Sequence, residues 1–329
     1  MLDSDALTSA FLNSRPRYQA QISGQISGQN QERKAIAVGS IIERTSEPPR
    51  LHMGRRLREL YGYREIILNL VRKELKVKYT ASVLGAVWSL LNPIVFLAVF
   101  SFVVRVTGNK IPSFPIYLLS GLLGWNLFQT ALMNGARSII DNANLVKKVY
   151  FPREILPISA VGVALVDFVL QSTVLLAFIL VSGHGVGLQA LLLYPLALVT
   201  LVVFTMAMTL LVSGTNVRYR DVQHLLNLGL LVWFWMTPIV YPSGLVQNVY
   251  IKGISAFNIL LANPLTSVTL SFQRALYGAN PPVGAPVIPT VSVGWLVAVT
   301  SAVLVASILF LWYTWLKFFK LSGDFAEEL

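Results

Sequence analysis

The sequence predicts an all-α integral membrane protein with six transmembrane helices, an N-terminal amphipathic helix before them, and outward re-entrant helices between spans five and six. Three observations predict this fold class. Of the 329 residues, 55% are hydrophobic and only 12% are charged, whereas a soluble domain carries about 25% charged residues. Six apolar stretches have the length of a membrane crossing. The basic residues are also distributed unevenly among the loops that join these stretches.

The first fifty residues differ in composition from the rest of the chain. They are rich in Gln, Ser, Gly and Arg, and they repeat Gln-Ile-Ser-Gly at 21–24 and 25–28. Such a segment cannot bury enough apolar surface to become ordered. No continuous apolar core follows the start, so a secretory signal peptide is not expected. We therefore predict that residues 1–50 form a disordered cytoplasmic tail.

Residues 51–80 contain the amphipathic helix. At 100° per residue, one side of the 63–79 stretch is apolar, whereas the opposite side carries Arg72, Lys73 and Lys76. Glu74 lies four residues before Lys78 and is predicted to pair with it. A helix of this kind lies on the surface of a membrane leaflet. Simple anchoring and docking to a cytoplasmic partner both remain open. The apolar side consists of Tyr63, Ile66, Ile67, Leu70, Val71 and Val77.

Residues 81–329 are predicted to form the transmembrane domain. Counting about 20 apolar residues per crossing of a ~30 Å hydrocarbon core gives six spans. These run approximately over 83–104, 116–136, 155–182, 188–213, 225–241 and 291–316.

The basic residues set the predicted orientation. With six spans, 22 of the 26 Lys and Arg residues fall on the side that holds both termini. The positive-inside rule therefore places both termini in the cytoplasm. The net charge of +11 is then explained by topology and lipid headgroups, and no nucleic-acid partner is expected. The outward segment 242–290 is short, broken and charged, which fits a re-entrant hairpin or interfacial helices better than a seventh crossing.

The cytoplasmic loop 141–154 combines basic and apolar residues. Leu145, Val146, Val149, Tyr150 and Phe151 are predicted to face neither lipid nor a protein core, and exposed apolar residues of this kind indicate docking to a partner. A linker with lipid-facing lysines is the simpler alternative. In the next cytoplasmic loop, Asp221 is predicted to pair with a neighbouring arginine.

No catalytic motif is visible in the chain. It lacks a phosphate-binding loop and a His cluster, and it contains no cysteine. Asp167 is the only acidic residue within the predicted spans, and no second ionisable partner is apparent for it. A mid-membrane carboxylate costs about 2.5–3.5 kcal/mol, so Asp167 should face protein or water. Aromatic residues are plentiful in spans one and five, where they serve as packing groups or form a surface along which sugar rings slide.

In six ordered segments the sequence resembles the membrane subunits of ABC-2 type exporters, in particular the permeases that export O-antigen or teichoic acid. The resemblance covers roughly residues 58–322. It rests on Val71–Tyr79, Leu84-Gly85 with Trp88 and Leu91-Asn92-Pro93, Asn144–Pro157, Val217–Val222, Thr237–Pro242, and Asn263-Pro264-Leu265 with Arg274.

The resemblance implies a homodimer of six-span subunits in the cytoplasmic membrane, with a channel at the subunit interface. Two copies of a separate ATPase subunit would drive it and would bind ATP and Mg, so this chain itself would hold no cofactor or metal. The substrate class implied is a lipid-linked glycan. Drug or simple lipid export is the alternative within the family. An ATP-independent secondary transporter and a membrane glycosyltransferase are alternatives outside it.

The resemblance also assigns roles by position. The amphipathic helix becomes the interface helix, through Arg72, Lys73, Glu74, Lys76, Lys78 and Tyr79. The loop becomes the ATPase-coupling segment, through Asn144, Leu145, Lys147, Lys148, Val149, Tyr150, Phe151, Pro152, Arg153 and Glu154. Residues 245–277 become the outward gate, with Asn263, Pro264 and Arg274. The channel-lining candidates are Trp88, Phe96, Phe100, Trp233 and Trp235.

Overall fold

The computed structural model describes residues 53–80, 85, 88–106, 111–149, 151–219, 221–251, 253–278, 287–323 and 325–328. The predicted tail, residues 1–50, lies outside these residues. The chain divides into a unit of residues 1–59 and a unit of residues 60–329. Only the start of one helix is described in the first unit, and the architecture below is that of the second.

Helices dominate the described residues. In chain order they are α1 (Met53–Gly62), α2 (Arg64–Thr80), α3 (Trp88–Val106), α4 (Phe114–Asp141), α5 (Ala143–Lys148), α6 (Ile155–Val181), α7 (Ala190–Arg218), α8 (Val222–Met236), α9 (Ser243–Val246), α10 (Ala256–Leu261), α11 (Pro264–Leu276), α12 (Val293–Ser322) and α13 (Phe325–Glu328). Two short strands, β1 (Tyr250–Ile251) and β2 (Ile254–Ser255), pair as an antiparallel hairpin.

Within the described residues, four helices are long and apolar enough to cross a membrane: α4, α6, α7 and α12. They correspond to predicted spans two, three, four and six. The regions of predicted spans one and five hold shorter apolar helices, Leu90–Val106 and Val222–Met236. The fold is therefore that of a helical integral membrane protein, and the described strands form only one small hairpin.

Two predicted boundaries need correction. The fifth span was expected to continue to residue 241, but α8 ends at Met236 because Pro238 and Pro242 follow and cannot donate backbone hydrogen bonds to a helix. At 1.5 Å per residue, its 15 residues cover about 22 Å. The amphipathic segment 51–80 is also not one helix, because a turn at Tyr63 separates α1 from α2.

The core forms where α4 packs against α6 and α7, and where α7 packs against α12. Small residues allow close approach at these crossings. At Gly135 of α4, an added Cβ would lie 2.1 Å from Thr209 Cγ2 of α7. By contrast, α3 and α8 make few contacts with the rest of the bundle. The molecule thus combines a tightly packed centre with two loosely held apolar helices.

Helix α11 lies inside the bundle and not on its surface. Its residues from Leu265 to Gln273 are all buried, and the helix packs against α4, α7 and α12. Buried polar side chains stabilise this position, as when Ser271 Oγ lies 2.9 Å from Thr300 Oγ1 of α12. Of the two interpretations of the outward segment, the burial of α11 favours a re-entrant element over an interfacial helix.

Candidate functional site

An aromatic cluster joins α3 to α8. The Phe96 ring stacks on Phe100 at 5.9 Å and meets Phe234 edge-on at 5.7 Å. Phe100 in turn lies 6.5 Å from Trp235, which remains 55% exposed. The structure thus brings together three of the five predicted channel-lining residues. The side chain of Trp88, a fourth, lies outside the described residues.

Trp233 faces the core of the helical bundle. Its ring lies 5.1 Å from Phe128 and 6.2 Å from Phe204. Its indole Nε1–H donates a hydrogen bond to Asn263 Oδ1 at 2.8 Å. Trp233 is therefore a packing residue that also borders an open groove beside α8, in contrast to its neighbour Trp235.

Asn263 connects the end of α8 to the start of α11. Besides accepting from Trp233, its Oδ1 accepts from the backbone N–H of Leu265 at 3.0 Å and caps α11. Its Nδ2 donates to Thr237 Oγ1 at 2.9 Å. Pro264 occupies the first turn of α11, where a backbone N–H would have no acceptor within the helix, so proline costs no hydrogen bond there. The sequence singled out Asn263 and Pro264 but did not identify Thr237 as a partner.

Arg274, the third predicted gate residue, lies in the last turn of α11. Its backbone carbonyl accepts from Gln189 Nε2 at 3.1 Å. One residue earlier, Gln273 Nε2 donates to the carbonyl of Pro238 at 3.1 Å. Both ends of α11 are therefore tied to the irregular segment after α8, and its last turn is also tied to the segment before α7.

The amphipathic helix α2 packs against α6 through a narrow contact. Leu70 and Val71 are buried, and a Cβ added at Gly162 would lie 2.8 Å from Val71 Cγ2. Ile66 and Val77, also on the predicted apolar side, stay exposed, as do Arg72, Lys73 and Lys76. Partial burial raises the pKa of the Glu74 carboxyl, and nearby Lys73 opposes this shift.

Asp167 has an ionisable partner, contrary to the sequence prediction. Lys78 Nζ donates to Asp167 Oδ2 at 2.6 Å, and the Tyr79 hydroxyl donates to Asp167 Oδ1. Lys78 consequently pairs with Asp167 and not with Glu74 as predicted. The partner was missed because it lies 89 residues away on α2, outside the spans. The helical periodicity of a sequence does not reveal which residues far apart in the chain come into contact.

The predicted coupling loop contains the short helix α5 and is only partly exposed. Lys147, Lys148 and Val149 are exposed, and Asn144 is exposed beside them. Val146 and Phe151 are buried, at 6% and 8% exposure, so the prediction that these two side chains are exposed is wrong. Leu145 is half-buried, Pro152 is buried, and Tyr150 lies outside the described residues.

Contacts with the C-terminal segment explain part of this burial. The Trp315 Nε1–H donates to Glu154 Oε1 at 3.4 Å. Arg153 Cζ lies 5.9 Å from the centre of the Phe325 ring, which packs edge-on against Phe318. Arg218 also pairs with Glu328, at 3.7 Å between Nε and Oε1. The end of the chain therefore supports the loop from within the subunit.

These features define a multi-pass membrane protein with a compact helical centre, two loosely attached aromatic helices and a partly exposed basic loop. Among the described residues, no group of three or more His, Asp or Glu side chains could hold a metal ion.

Comparison with known proteins identifies the family. The model of the ABC-2 type transporter family matches residues 66–262. The chain is 33% identical over 282 residues to the O-antigen export system permease protein RfbA of Myxococcus xanthus, which covers 84% of this chain and all of that protein. Two Klebsiella pneumoniae proteins of the same name are 31% and 30% identical, each over 64% of this chain and 79% of their own length. The chain belongs to the ABC-2 type transporter family.

Proposed function

We propose that this protein is the membrane subunit of an ABC transporter that exports a lipid-linked polysaccharide of the O-antigen type across the cytoplasmic membrane. The observation that carries the proposal is the 33% identity along the whole length of an O-antigen export permease. The chain has no phosphate-binding loop. A separate ATPase subunit, in two copies, therefore binds ATP and Mg and supplies the energy.

The proposed topology has six crossings with both termini in the cytoplasm. Four crossings are the long helices α4, α6, α7 and α12, and the other two are α3 and α8 with their flanking residues. The 22 basic residues on the cytoplasmic side support this orientation.

The proposed translocation path lies between two copies of the chain, beside α3 and α8. These helices are loosely attached to the bundle and expose apolar side chains such as Phe102 and Leu231. Phe96, Phe100 and Trp235 form the aromatic surface of the path, with Trp88 at the start of α3. Flat rings contact the faces of sugars without holding any single hydroxyl, which suits a sliding polymer. Asn263, Pro264 and Arg274 hold α11 at the outward end of this path.

The proposed coupling surface consists of the exposed face of α2 and the exposed part of the 141–154 loop. Lys147, Lys148 and Val149 contact the ATPase, whereas Phe151 and Glu154 fix the loop to the subunit. Val149→Glu should lower ATPase co-purification and ATP-driven export while leaving the unfolding temperature unchanged. The matched control is Val186→Glu, at a valine that is 43% exposed against 51% for Val149 and that lies on the proposed outward side. Equal recovery of the ATPase with both variants would show that the loop is not part of the coupling surface.

The function is tested in vesicles that contain the purified chain with its ATPase. Lipid-linked polysaccharide should become accessible on the trans side only when ATP is supplied, and a simple phospholipid should not compete. Export without ATP would indicate a secondary transporter. Stimulation of ATP hydrolysis by drugs or simple lipids but not by the glycolipid would favour the alternative substrate class.

A further inference from the structure

A polar cleft runs between α2, α3, α4 and α6, and the aromatic cluster is not part of it. Its cytoplasmic part has a volume of about 540 Å³ and its deeper part about 310 Å³. Both parts are lined by Lys78, Thr130 and Asn134, so the two are continuous. We call this cleft the polar furrow.

The furrow follows one side of α4. Its lining residues on this helix recur every three or four positions: Asn126, Gln129, Thr130, Met133, Asn134, Arg137, Ser138 and Asp141. The distance from Asn126 to Asp141 along the helix is roughly 22 Å at 1.5 Å per residue. A furrow of this length reaches from the cytoplasmic end of α4 well into a hydrocarbon core of about 30 Å.

The amide side chains of the furrow favour polar contents, because amides are costly to expose to hydrocarbon. Internal hydrogen bonds satisfy only part of the lining. Asn126 Nδ2 donates to Gln171 Oε1 at 3.0 Å, and Gln129 Oε1 accepts from Trp125 at 2.8 Å. Thr130 and Asn134 show no side-chain hydrogen bond within the part of the chain that the structure describes.

The cytoplasmic mouth offers basic side chains to an anionic group. Lys73 and Arg137 are exposed there, and Glu74 and Asp141 line the same part of the furrow. Burial raises the pKa of the Glu74 carboxyl, and nearby Lys73 opposes this shift. Deeper in the furrow, the carboxylate of Asp167 is already neutralised by Lys78. Basic side chains at the mouth and amides within therefore match phosphate and hydroxyl groups respectively.

We propose that the polar furrow binds the phosphate and first sugars of the lipid-linked substrate on the cytoplasmic side, before the glycan reaches the aromatic path. This inference rests on the proposed function and extends it to a second substrate site. Helix α3 separates the two sites, with Asn92 and Pro93 lining the furrow and Phe96 and Phe100 in the aromatic cluster. Movement of this loosely held helix would connect them.

Photo-crosslinking tests what occupies the furrow. A benzophenone amino acid is placed at Thr130 or, as a control on an outward-facing helix surface, at Val199 of α7, in the complete transporter in cell membranes. The expected result is a glycan-bearing adduct at position 130 that is several-fold stronger than at 199 and absent from cells that lack the glycolipid. Phospholipid adducts alone at 130, or equal glycan adducts at both positions, would overturn the proposal.

A second test measures transport in vesicles over a range of glycolipid concentrations. Asn134→Leu with Thr130→Val removes polar groups from the furrow and should raise the half-saturating concentration about tenfold, with little change in maximal rate. Asn134→Gln should restore much of the affinity, and Thr173→Val, an exposed threonine on α6, should have no effect. Unchanged half-saturation in the double variant would overturn the furrow site while leaving the export function intact. Absence of export by the unaltered protein would instead refute the proposed function.

Discussion

Lys78 and Asp167 show how one contact attaches the amphipathic helix α2 to the bundle. The side chain of Asp167 is only 7% exposed, while that of Lys78 is 36% exposed. Lys78 Nζ lies 2.6 Å from Asp167 Oδ2, and the Tyr79 hydroxyl donates to Asp167 Oδ1. Together these two groups offset the free-energy cost of burying the Asp167 carboxylate. The pair therefore joins α2, which is proposed to contact the ATPase, to α6.

Removing the cation should destabilise the protein more than removing both charges. Lys78→Met leaves the Asp167 carboxylate without its counter-ion and should lower the free energy of unfolding by about 2 kcal/mol. Lys78→Met combined with Asp167→Asn should recover most of this loss. Equilibrium unfolding in mixed micelles measures the free energy of unfolding of the single and the double variant. Lys76→Met, at an exposed lysine of the same helix, is the control. Strictly additive losses would show that the two residues are not coupled.

Asn263 is the second residue whose role depends on several partners at once. Asn263→Ala removes the cap of α11 and leaves the indole N–H of Trp233 without its acceptor. We expect a loss of about 2–3 kcal/mol in the free energy of unfolding, since a cap and a part-buried hydrogen bond are lost together. Asn258→Ala, at an exposed position of α10, should leave stability unchanged. Equal stability of the two variants would contradict this role.

At the scale of elements, the crossing of α4 and α7 is the closest helix contact recorded at any glycine of the described chain. Gly135 lies directly against Thr209, which is itself buried. Close crossings between small residues are a common way to pack helices in membranes, where water exclusion provides no driving force. This crossing holds together two of the four long apolar helices.

Gly135→Ala should therefore destabilise the bundle by about 2 kcal/mol, because its methyl group overlaps the Thr209 side chain. The change Thr209→Ala removes the overlapping Cγ2 atom and should rescue the variant. Gly229→Ala in α8 is the matched control, since a Cβ there would have no heavy atom within 4 Å. Thermal unfolding followed by tryptophan fluorescence gives the comparison. Failure of Thr209→Ala to rescue would show that the cost lies elsewhere.

At the scale of the whole molecule, the proposed topology can be tested cleanly because the chain contains no cysteine. A single cysteine therefore reports the side of the membrane on which it lies. With six crossings, Asn248→Cys should react with an impermeant maleimide added outside intact cells. Asn144→Cys and Lys317→Cys should react only after the membrane is opened. Labelling of Lys317→Cys from outside would require an odd number of crossings.

The sequence alone was sufficient to predict the membrane fold class, the regions of the four long spans and the family. These properties depend on composition, apolar length and local motifs, which are read along the chain. It also identified Asn263 as a residue of interest, although not its bond to Thr237. Charge distribution provided the proposed orientation, because that preference acts loop by loop.

Tertiary structure decided which of these residues meet. Lys78 reaches Asp167 across 89 positions, Phe151 is buried, and Trp233 packs inward while Trp235 stays exposed. The polar stripe on α4 became a candidate site only when α2, α3 and α6 were seen to complete the furrow. The physical reason is that the burial and pairing of a side chain depend on neighbouring helices. Helical periodicity fixes the face on which a residue lies, but not the helix that covers it.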